Sequence, residues 1–153
     1  MANSISVKIK ILDNACSGAT NIQYATSGSA GIDLLASCLE SSVVILPGER
    51  FPFATGVAME IIEPGIAGFV FSRSGLGTRQ GLVVSQGVGV IDPDYRGEII
   101  VSLLNNSQEE RMVYRGQRIA QLIFMPWFRA DLKIVPELSS TVRGDGGFGH
   151  TGF

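Results

Sequence analysis

The sequence contains few of the residues that metal centres and nucleic-acid-binding surfaces require. Cys16, Cys38 and His150 are its only cysteines and histidine. The cysteines lack CxxC spacing and histidine neighbours, which excludes the usual structural zinc sites and predicts two reduced thiols. The formal net charge is −2 and the basic residues are scattered. We therefore expect no nucleic-acid partner, because polynucleotide binding usually requires a concentrated basic surface.

Long hydrophobic runs are also missing. The start MANSISVKIKIL has no long apolar stretch behind a basic residue. No apolar run elsewhere approaches the ~20 residues of a membrane-spanning helix. These features predict a cytoplasmic protein without membrane contact.

Short runs rich in valine, isoleucine and phenylalanine make up most of the chain, with glycine, proline, aspartate or asparagine between them. The runs are SVKIKIL, SVVILP, FPFATGVAMEI, AGFVFS, GLVVSQGVGVI, EIIVSLLN and RIAQLIFMPWF. This spacing predicts an all-β sandwich or jelly roll within one domain of 153 residues. One short helix is expected at residues 74–81, where a serine can cap the first turn and a glycine can end the last. Several strands are apolar on both faces, which is typical of strands that contact another subunit.

The segment FSRSGLG leads from a strand into this helix. Backbone N–H groups at the helix start, the Ser74 hydroxyl and the Arg73 guanidinium could converge on one anion, and helix starts favour phosphate. A plain helix cap beside a surface arginine would give the same sequence. The segment is therefore a candidate anion site that needs a second observation.

The segment GVGVIDPDYRGE, residues 87–98, predicts a hairpin with aspartates and an aromatic ring at its tip. Asp92 and Asp94 are also common turn residues, so the carboxylates alone do not indicate a site. Tyr95 is a platform for a sugar or a base, and Gly87 and Gly89 would allow backbone amides to approach a flat ligand.

The chain ends in RGDGGFGHTGF, where Arg143 and Phe148 stand among glycines. Such composition is typical of a disordered end. A segment that closes over a ligand would use the same residues, with the arginine on a phosphate and the phenylalanine stacked on a base.

Five segments carry these features: AGIDLLAS (30–37), RSGLG (73–77), GVIDPDYRGE (89–98), RGQRIAQLIF (115–124) and RGDGGFGHTG (143–152). In order and spacing they resemble the five motifs of the homotrimeric dUTPase family, and YATSGSAGIDL and SVKIKIL are similar to its bacterial branch. The resemblance spans nearly the whole chain. It implies a jelly-roll homotrimer with shared active sites that hydrolyses dUTP to dUMP and pyrophosphate with Mg²⁺. It also implies a folded domain over residues 1–142 and a flexible tail over residues 143–153 that closes over the active site.

The resemblance assigns the chemistry to the first, second, third and fourth motifs. Asp92 matches the aspartate that orients and deprotonates the attacking water. Asp33 matches an aspartate that approaches Mg²⁺ through water. The residues matched to the phosphates are Arg73, Ser74, Gly75 and Gln121.

The resemblance places the nucleoside in the third motif and the closing segment in the fifth. Tyr95 matches the ring under the deoxyribose, where no room remains for a 2′-hydroxyl. The residues matched to uracil are Gln86, Gly89, Val90, Ile91 and Ile100, in a hairpin too narrow for the thymine methyl. Gln86 stands where many bacterial members carry asparagine. The tail residues matched to substrate are Arg143, Gly147, Phe148 and Thr151.

Two other functions remain open on the sequence. The related dCTP deaminases share the fold but need a catalytic glutamate on the strand after the hairpin, where IIVSLLN has none and Glu98 stands at its start. A nucleotide-sensing module could retain the fold without turnover. Release of pyrophosphate from dUTP separates both from a dUTP diphosphatase.

Overall fold

The computed structural model describes residues 4–13, 15–17 and 22–147. Within these ranges the chain forms eleven strands and one helix, which confirms a mostly-β fold with one short helix. The strands are β1 (Val7–Ile11), β2 (Ile32–Leu35), β3 (Ser42–Ile45), β4 (Arg50–Ala54), β5 (Val57–Ile61), β6 (Ile66–Ser72), β7 (Leu82–Val84), β8 (Val88–Ile91), β9 (Ile100–Asn105), β10 (Arg111–Tyr114) and β11 (Arg118–Pro126). The helix α1 (Ser74–Gln80) lies between β6 and β7.

The strands pair in four sheets, and every pairing is antiparallel. The largest sheet has the order β2-β11-β6-β8, and a second has the order β4-β9-β7. The pairs β1-β5 and β3-β10 complete the fold. Because most paired strands are distant in sequence, the register sets which motifs meet.

The core lies between these sheets and follows the alternation expected of strands with one buried face. In β9, Val101, Leu103 and Asn105 are buried and alternate with more exposed residues. Buried Asn105 is fully hydrogen-bonded: its Nδ2 donates to the carbonyls of Ile45 and Glu109, and its Oδ1 accepts from Ser107. These hydrogen bonds connect β9 to the β3 side of the fold and offset the cost of burying the amide.

Two local predictions were wrong, and one strand was missed. The run FPFATGVAMEI divides into β4 and β5 because Gly56 adopts φ +71°, and a Cβ there would overlap Ala15. The run GLVVSQGVGVI divides into β7 and β8 at Gly87, whose φ is +81°. The strand β10 was not predicted, since only four residues of mixed polarity form it.

The helix itself was predicted correctly, but its cap was not. Gly81 ends α1 in the left-handed conformation, and its N–H donates to the carbonyl of Gly77. At the other end Arg73 is the N-cap and no side chain caps the helix. Ser74 is already the first helical residue, one position too late for its hydroxyl to cap the first turn.

Both cysteines are free thiols, as predicted, with Cys16 buried and Cys38 half-buried. None of the helical structure in the described ranges is long and apolar enough to cross a membrane.

Candidate active site

Residues of β2, of β11 and of the loop before β2 meet the start of α1 around a cavity of about 350 Å³, which we call the arginine cavity. Five predicted site residues line it: Asp33, Arg73, Ser74, Gly75 and Gln121. They come from three separate motifs, and the antiparallel register brings them together. The sequence prediction that these motifs share one anion site is consistent with this cavity.

Asp33 pairs with two arginines, of which Arg73 lines the arginine cavity and Arg118 lies outside its lining. The Nε of Arg73 lies 2.8 Å from Oδ1 of Asp33, and the Nε of Arg118 lies 3.5 Å from Oδ2. Arg73 also donates to the carbonyl of Arg118 at 3.4 Å. Two guanidinium groups against one carboxylate leave an excess positive charge, which favours a polyanionic ligand.

Arg118 was missed by sequence reasoning. Strict strand alternation would place Arg118 and Gln121, three positions apart, on opposite faces of β11. The register of β11 against β2 shifts between Arg118 and Ala120, which brings Arg118 to Asp33 as well. The RxxQ spacing in RGQRIAQ carries no signal for this irregularity, because a β-bulge depends on the partner strand.

Gln121 is fixed at the arginine cavity by its neighbours on both sides. It pairs in register with Asp33 of β2 and with Phe71 of β6, and its Nε2 donates to the Ser72 carbonyl at 3.1 Å. A Cβ at Gly31 would lie only 3.0 Å from Gln121 Oε1. Glycine at position 31 therefore leaves the amide room to face the cavity.

A second cavity of about 240 Å³, which we call the loop cavity, lies between β8 and the beginning of β9. Seven predicted site residues line it: Gln86, Gly89, Val90, Ile91, Asp92, Tyr95 and Ile100. A Cβ at Gly89 would lie 3.4 Å from Gln86 Nε2, so the Gln86 amide lies over this glycine. Gln86 therefore belongs to the same cavity as the other third-motif residues.

The predicted hairpin is wrong in its pairing. The strand β8 pairs with β6, whereas β9 pairs with β4 and β7. The connection over residues 92–99 is longer than the tight turns that pair two neighbouring strands, and it holds β8 and β9 apart. The loop cavity fills the space between them.

The connecting loop is braced by its own hydrogen bonds. The Tyr95 N–H donates to the Asp92 carbonyl at 3.0 Å, and Arg96 Nη1 donates to the Pro93 carbonyl at 2.7 Å. Arg96 also lies 3.6 Å from Glu60. The pKa of Glu60 is lowered, first by the hydrogen bond and charge of Lys8 and then by the charge of Arg96. The loop therefore makes an exposed ion-pair contact with Glu60 of β5.

The Asp92 carboxylate makes no hydrogen bond or ion pair with any residue that the structure describes, and it is exposed at the loop cavity. A carboxylate in this state can accept a hydrogen bond from water. Tyr95 lines the same cavity and is 44% exposed. The loop cavity thus combines an accessible base with an aromatic surface and apolar walls.

The two cavities share no lining residue, and the predicted base and the predicted phosphate ligands are divided between them. No lysine or arginine from the described part of the chain lines the loop cavity. The arginine cavity in turn does not include Asp92. Within one chain, the predicted base and the predicted phosphate ligands are therefore in separate cavities.

The C-terminal segment, residues 127–147, leaves the body of the chain after the Trp127 N–H donates to the Gly65 carbonyl. Its large apolar side chains are exposed, with Phe128 at 93%, Ile134 at 103% and Val142 at 108%. The predicted tail residues Arg143 and Gly147 lie in this segment and line neither cavity. Arg143 donates locally to the Gly146 carbonyl. Phe148 and Thr151 lie outside the described residues.

A preformed metal centre is missing from the residues that the structure describes, since they contain no group of three acidic, cysteine or histidine side chains able to hold an ion. Asp33 is the predicted metal-associated residue, and both its oxygens already face arginines. A carboxylate has about four lone-pair sites, so these ion pairs leave room for a bound water.

Comparison with known proteins gives one consistent family. The profile of the dUTPase family matches residues 18–152. A deoxyuridine 5'-triphosphate nucleotidohydrolase from Desulfitobacterium hafniense is 46% identical over 96% of this chain and 97% of its own length. The Staphylococcus bacteriophage 80alpha dUTPase with dUpNHpp has a TM-score of 0.77 and 27% identity, over 97% of this chain and 99% of that one. A mutant dUTPase from phage phi11 of S. aureus, which coordinates a structural Mg(II) ion, has a TM-score of 0.73 and 24% identity over 88% and 99% of the two chains.

Proposed function

The chain belongs to the dUTPase family, and we propose that it hydrolyses dUTP to dUMP and pyrophosphate with a water that Asp92 activates. The observation that carries this proposal is the position of Asp92. Its exposed carboxylate lies beside Tyr95 at a cavity whose described walls hold no competing cation. A general base needs this freedom to take a proton from water as the water attacks the α-phosphate.

The open edges of two strands at the loop cavity support the proposal that uracil binds there. The strand β8 is the last in its sheet, so alternate backbone groups on its outer side are unpaired by β6. The strand β7 pairs only with Leu103–Asn105, which leaves one side of Ile100 open as well. These groups around Val90, Ile91 and Ile100 can pair with the donor and acceptors on the uracil edge. The cavity volume of about 240 Å³ is sufficient for a pyrimidine base.

The triphosphate is assigned to the arginine cavity. Arg73 supplies a guanidinium fork, and Ser74 and Gly75 present the first N–H groups of α1, which have no carbonyl partner within the helix. The Gln121 amide lies at the same cavity. Phosphoryl transfer depends mainly on positioning and on neutralising charge at the phosphate oxygens, which these groups supply.

Mg²⁺ fits this arrangement as an ion carried with the triphosphate. Mg²⁺ keeps several waters and is usually held by one or two carboxylates together with substrate phosphates. Asp33 would hold it through water. When bound, the ion would neutralise charge on the phosphates and on the leaving pyrophosphate.

We also propose that the functional form is a homotrimer of jelly-roll subunits with shared sites. The separation of the two cavities supports this, because hydrolysis needs Asp92 and the phosphate ligands at one substrate. The C-terminal segment supports it too, because several of its large apolar residues are exposed in the single chain and could be covered by a neighbouring subunit. Residues 143–153 would then form a tail that closes over a site of another subunit, with Arg143, Gly147, Phe148 and Thr151 on the substrate.

The proposed activity is tested by pyrophosphate release from dUTP, dTTP, dCTP and UTP, with and without Mg²⁺. We expect release from dUTP alone and only in the presence of Mg²⁺. Ammonia release from dCTP would indicate the deaminase, which the absence of a glutamate from β9 disfavours. Binding of dUTP without release of pyrophosphate would indicate a nucleotide-sensing module. Either result would overturn the proposal.

A further inference from the structure

Glu98, near the end of the loop over residues 92–99, is hydrogen-bonded to the turn between β4 and β5. Its Oε1 accepts a hydrogen bond from the Gly56 N–H at 2.7 Å. Its backbone carbonyl accepts a hydrogen bond from the Tyr95 hydroxyl at 2.9 Å. One residue therefore connects the Tyr95 ring to the turn between β4 and β5.

That turn is a rigid anchor. The Gly56 carbonyl accepts from the Leu12 N–H at 2.9 Å, and Thr55, which is fully buried, donates from Oγ1 to the Ile99 carbonyl at 2.7 Å. The Ile99 N–H donates in turn to the Val57 carbonyl at 2.8 Å. Hydrogen bonds in a buried network reinforce one another. Hydrogen bonds other than the one to Glu98 therefore fix the position of the Gly56 N–H.

Gly97 completes the arrangement by leaving room for the ring. A Cβ at position 97 would overlap the Tyr95 hydroxyl and ring. The Tyr95 ring therefore lies folded over Gly97, with its hydroxyl on the next residue. A side chain at position 97 would displace the ring from this position.

We propose that Glu98 is a positioning residue that sets the discrimination between deoxyribose and ribose, acting through Tyr95. This inference rests on the proposed function, in which the Tyr95 ring lies under the sugar. A ring excludes a 2′-hydroxyl only if it cannot move away to admit the extra oxygen. Glu98 restrains the ring by holding the carbonyl that the Tyr95 hydroxyl binds.

The test compares kcat/KM for dUTP and for UTP in Glu98→Ala, Glu98→Gln and wild-type protein. Glu98→Ala leaves the Gly56 N–H without its partner. We expect kcat/KM for dUTP divided by kcat/KM for UTP to fall about tenfold, because the released ring admits UTP more readily. Glu98→Gln keeps an oxygen acceptor at the same reach and should restore a ratio close to wild type. A role limited to stability would not produce this rescue together with a change in sugar preference.

Glu63→Ala is the matched control, because Glu63 Oε2 accepts from the Ser6 N–H at the same 2.7 Å and lines neither cavity. In Glu63→Ala the ratio of kcat/KM for dUTP to kcat/KM for UTP should equal that of wild type. If Glu98→Ala fails to fold, Glu98→Asp carries the test, since it keeps the charge but shortens the reach. An unchanged ratio in the folded Glu98→Ala or Glu98→Asp protein would overturn the inference. Failure of the wild type itself to hydrolyse dUTP would instead overturn the proposed function.

Discussion

The Nε of Arg73 lies 2.8 Å from Oδ1 of Asp33, so an acidic residue of the first motif sets the position of the cation in the second. The same carboxylate faces Arg118 at 3.5 Å. In the proposed function Asp33 therefore acts in two ways: it orients the guanidinium groups, and it approaches Mg²⁺ through water.

Asp33→Asn removes the charge that holds both arginines, and we expect KM for dUTP to rise about tenfold or more, as hydrogen bonds to charged groups contribute about 1.5–3 kcal/mol. Steady-state kinetics with dUTP and direct binding of dUMP measure the effect. The affinity for dUMP should change less, because it lacks the two outer phosphates. Glu109→Gln is the control, since Glu109 pairs with Arg111 at 3.0 Å and lines neither cavity. A KM equal to that of wild type would show that Asp33 does not organise the phosphate ligands.

Asp92→Asn keeps the shape of the side chain but removes the base. We expect kcat to fall about a hundredfold or more while dUTP still binds, which is the usual scale for loss of a general base. Single-turnover kinetics and calorimetric titration with dUpNHpp separate chemistry from binding. Asp94→Asn serves as the control, because Asp94 is in the same loop and does not line the loop cavity. Turnover retained in Asp92→Asn would exclude Asp92 as the base.

Phe148→Ala tests the proposed closing of the tail over the base. Stacking of a base on an aromatic side chain is worth about 1–3 kcal/mol, so kcat/KM for dUTP should fall by the corresponding factor. The measurement is made with dUTP below KM. Phe153→Ala, a second phenylalanine in the same tail without an assigned role, should behave like wild type. Equal kinetics for both variants would indicate that the tail does not contact the substrate.

Ile134→Asp tests the proposed role of the C-terminal segment in assembly. The Ile134 side chain is fully exposed in the single chain. If a neighbouring subunit covers it, a buried and unpaired carboxylate would strongly disfavour the trimer. Light scattering after size exclusion should show smaller species and an accompanying loss of activity. Lys133→Asp introduces the same residue one position away, where a charged side chain already stands, and should leave the trimer intact. Normal trimers in Ile134→Asp would place the interface elsewhere.

Local features of the fold could be predicted from the sequence. Gly81 ends α1 because a left-handed glycine at a helix end needs no tertiary partner. Asp92 and Tyr95 are close in sequence, so their shared cavity follows from a single loop. The break at Gly56 was missed because the close approach of Ala15 is a tertiary contact, whereas Gly87 has a positive φ without any close neighbour.

Features that depend on strand pairing could not be predicted. The contact of Arg118 with Asp33 depends on a register shift in β11, and the separation of β8 from β9 depends on their partners β6 and β4. The bond between Glu98 and Gly56 joins segments with no sequence relationship. The separation of the two cavities therefore depends on strand pairing and has no signal in the sequence.

The shared-site proposal is tested most directly by mixing two inactive variants. Arg73→Ala lacks the phosphate ligand of the arginine cavity, and Asp92→Asn lacks the base of the loop cavity. The two chains are unfolded and refolded together, and native mass spectrometry confirms that hybrid trimers form. Random assembly gives about a quarter of the sites an intact Arg73 from one chain and an intact Asp92 from another. We predict that dUTP hydrolysis returns to about that fraction of wild type, whereas no activity in confirmed hybrid trimers would show that both residues act within one chain.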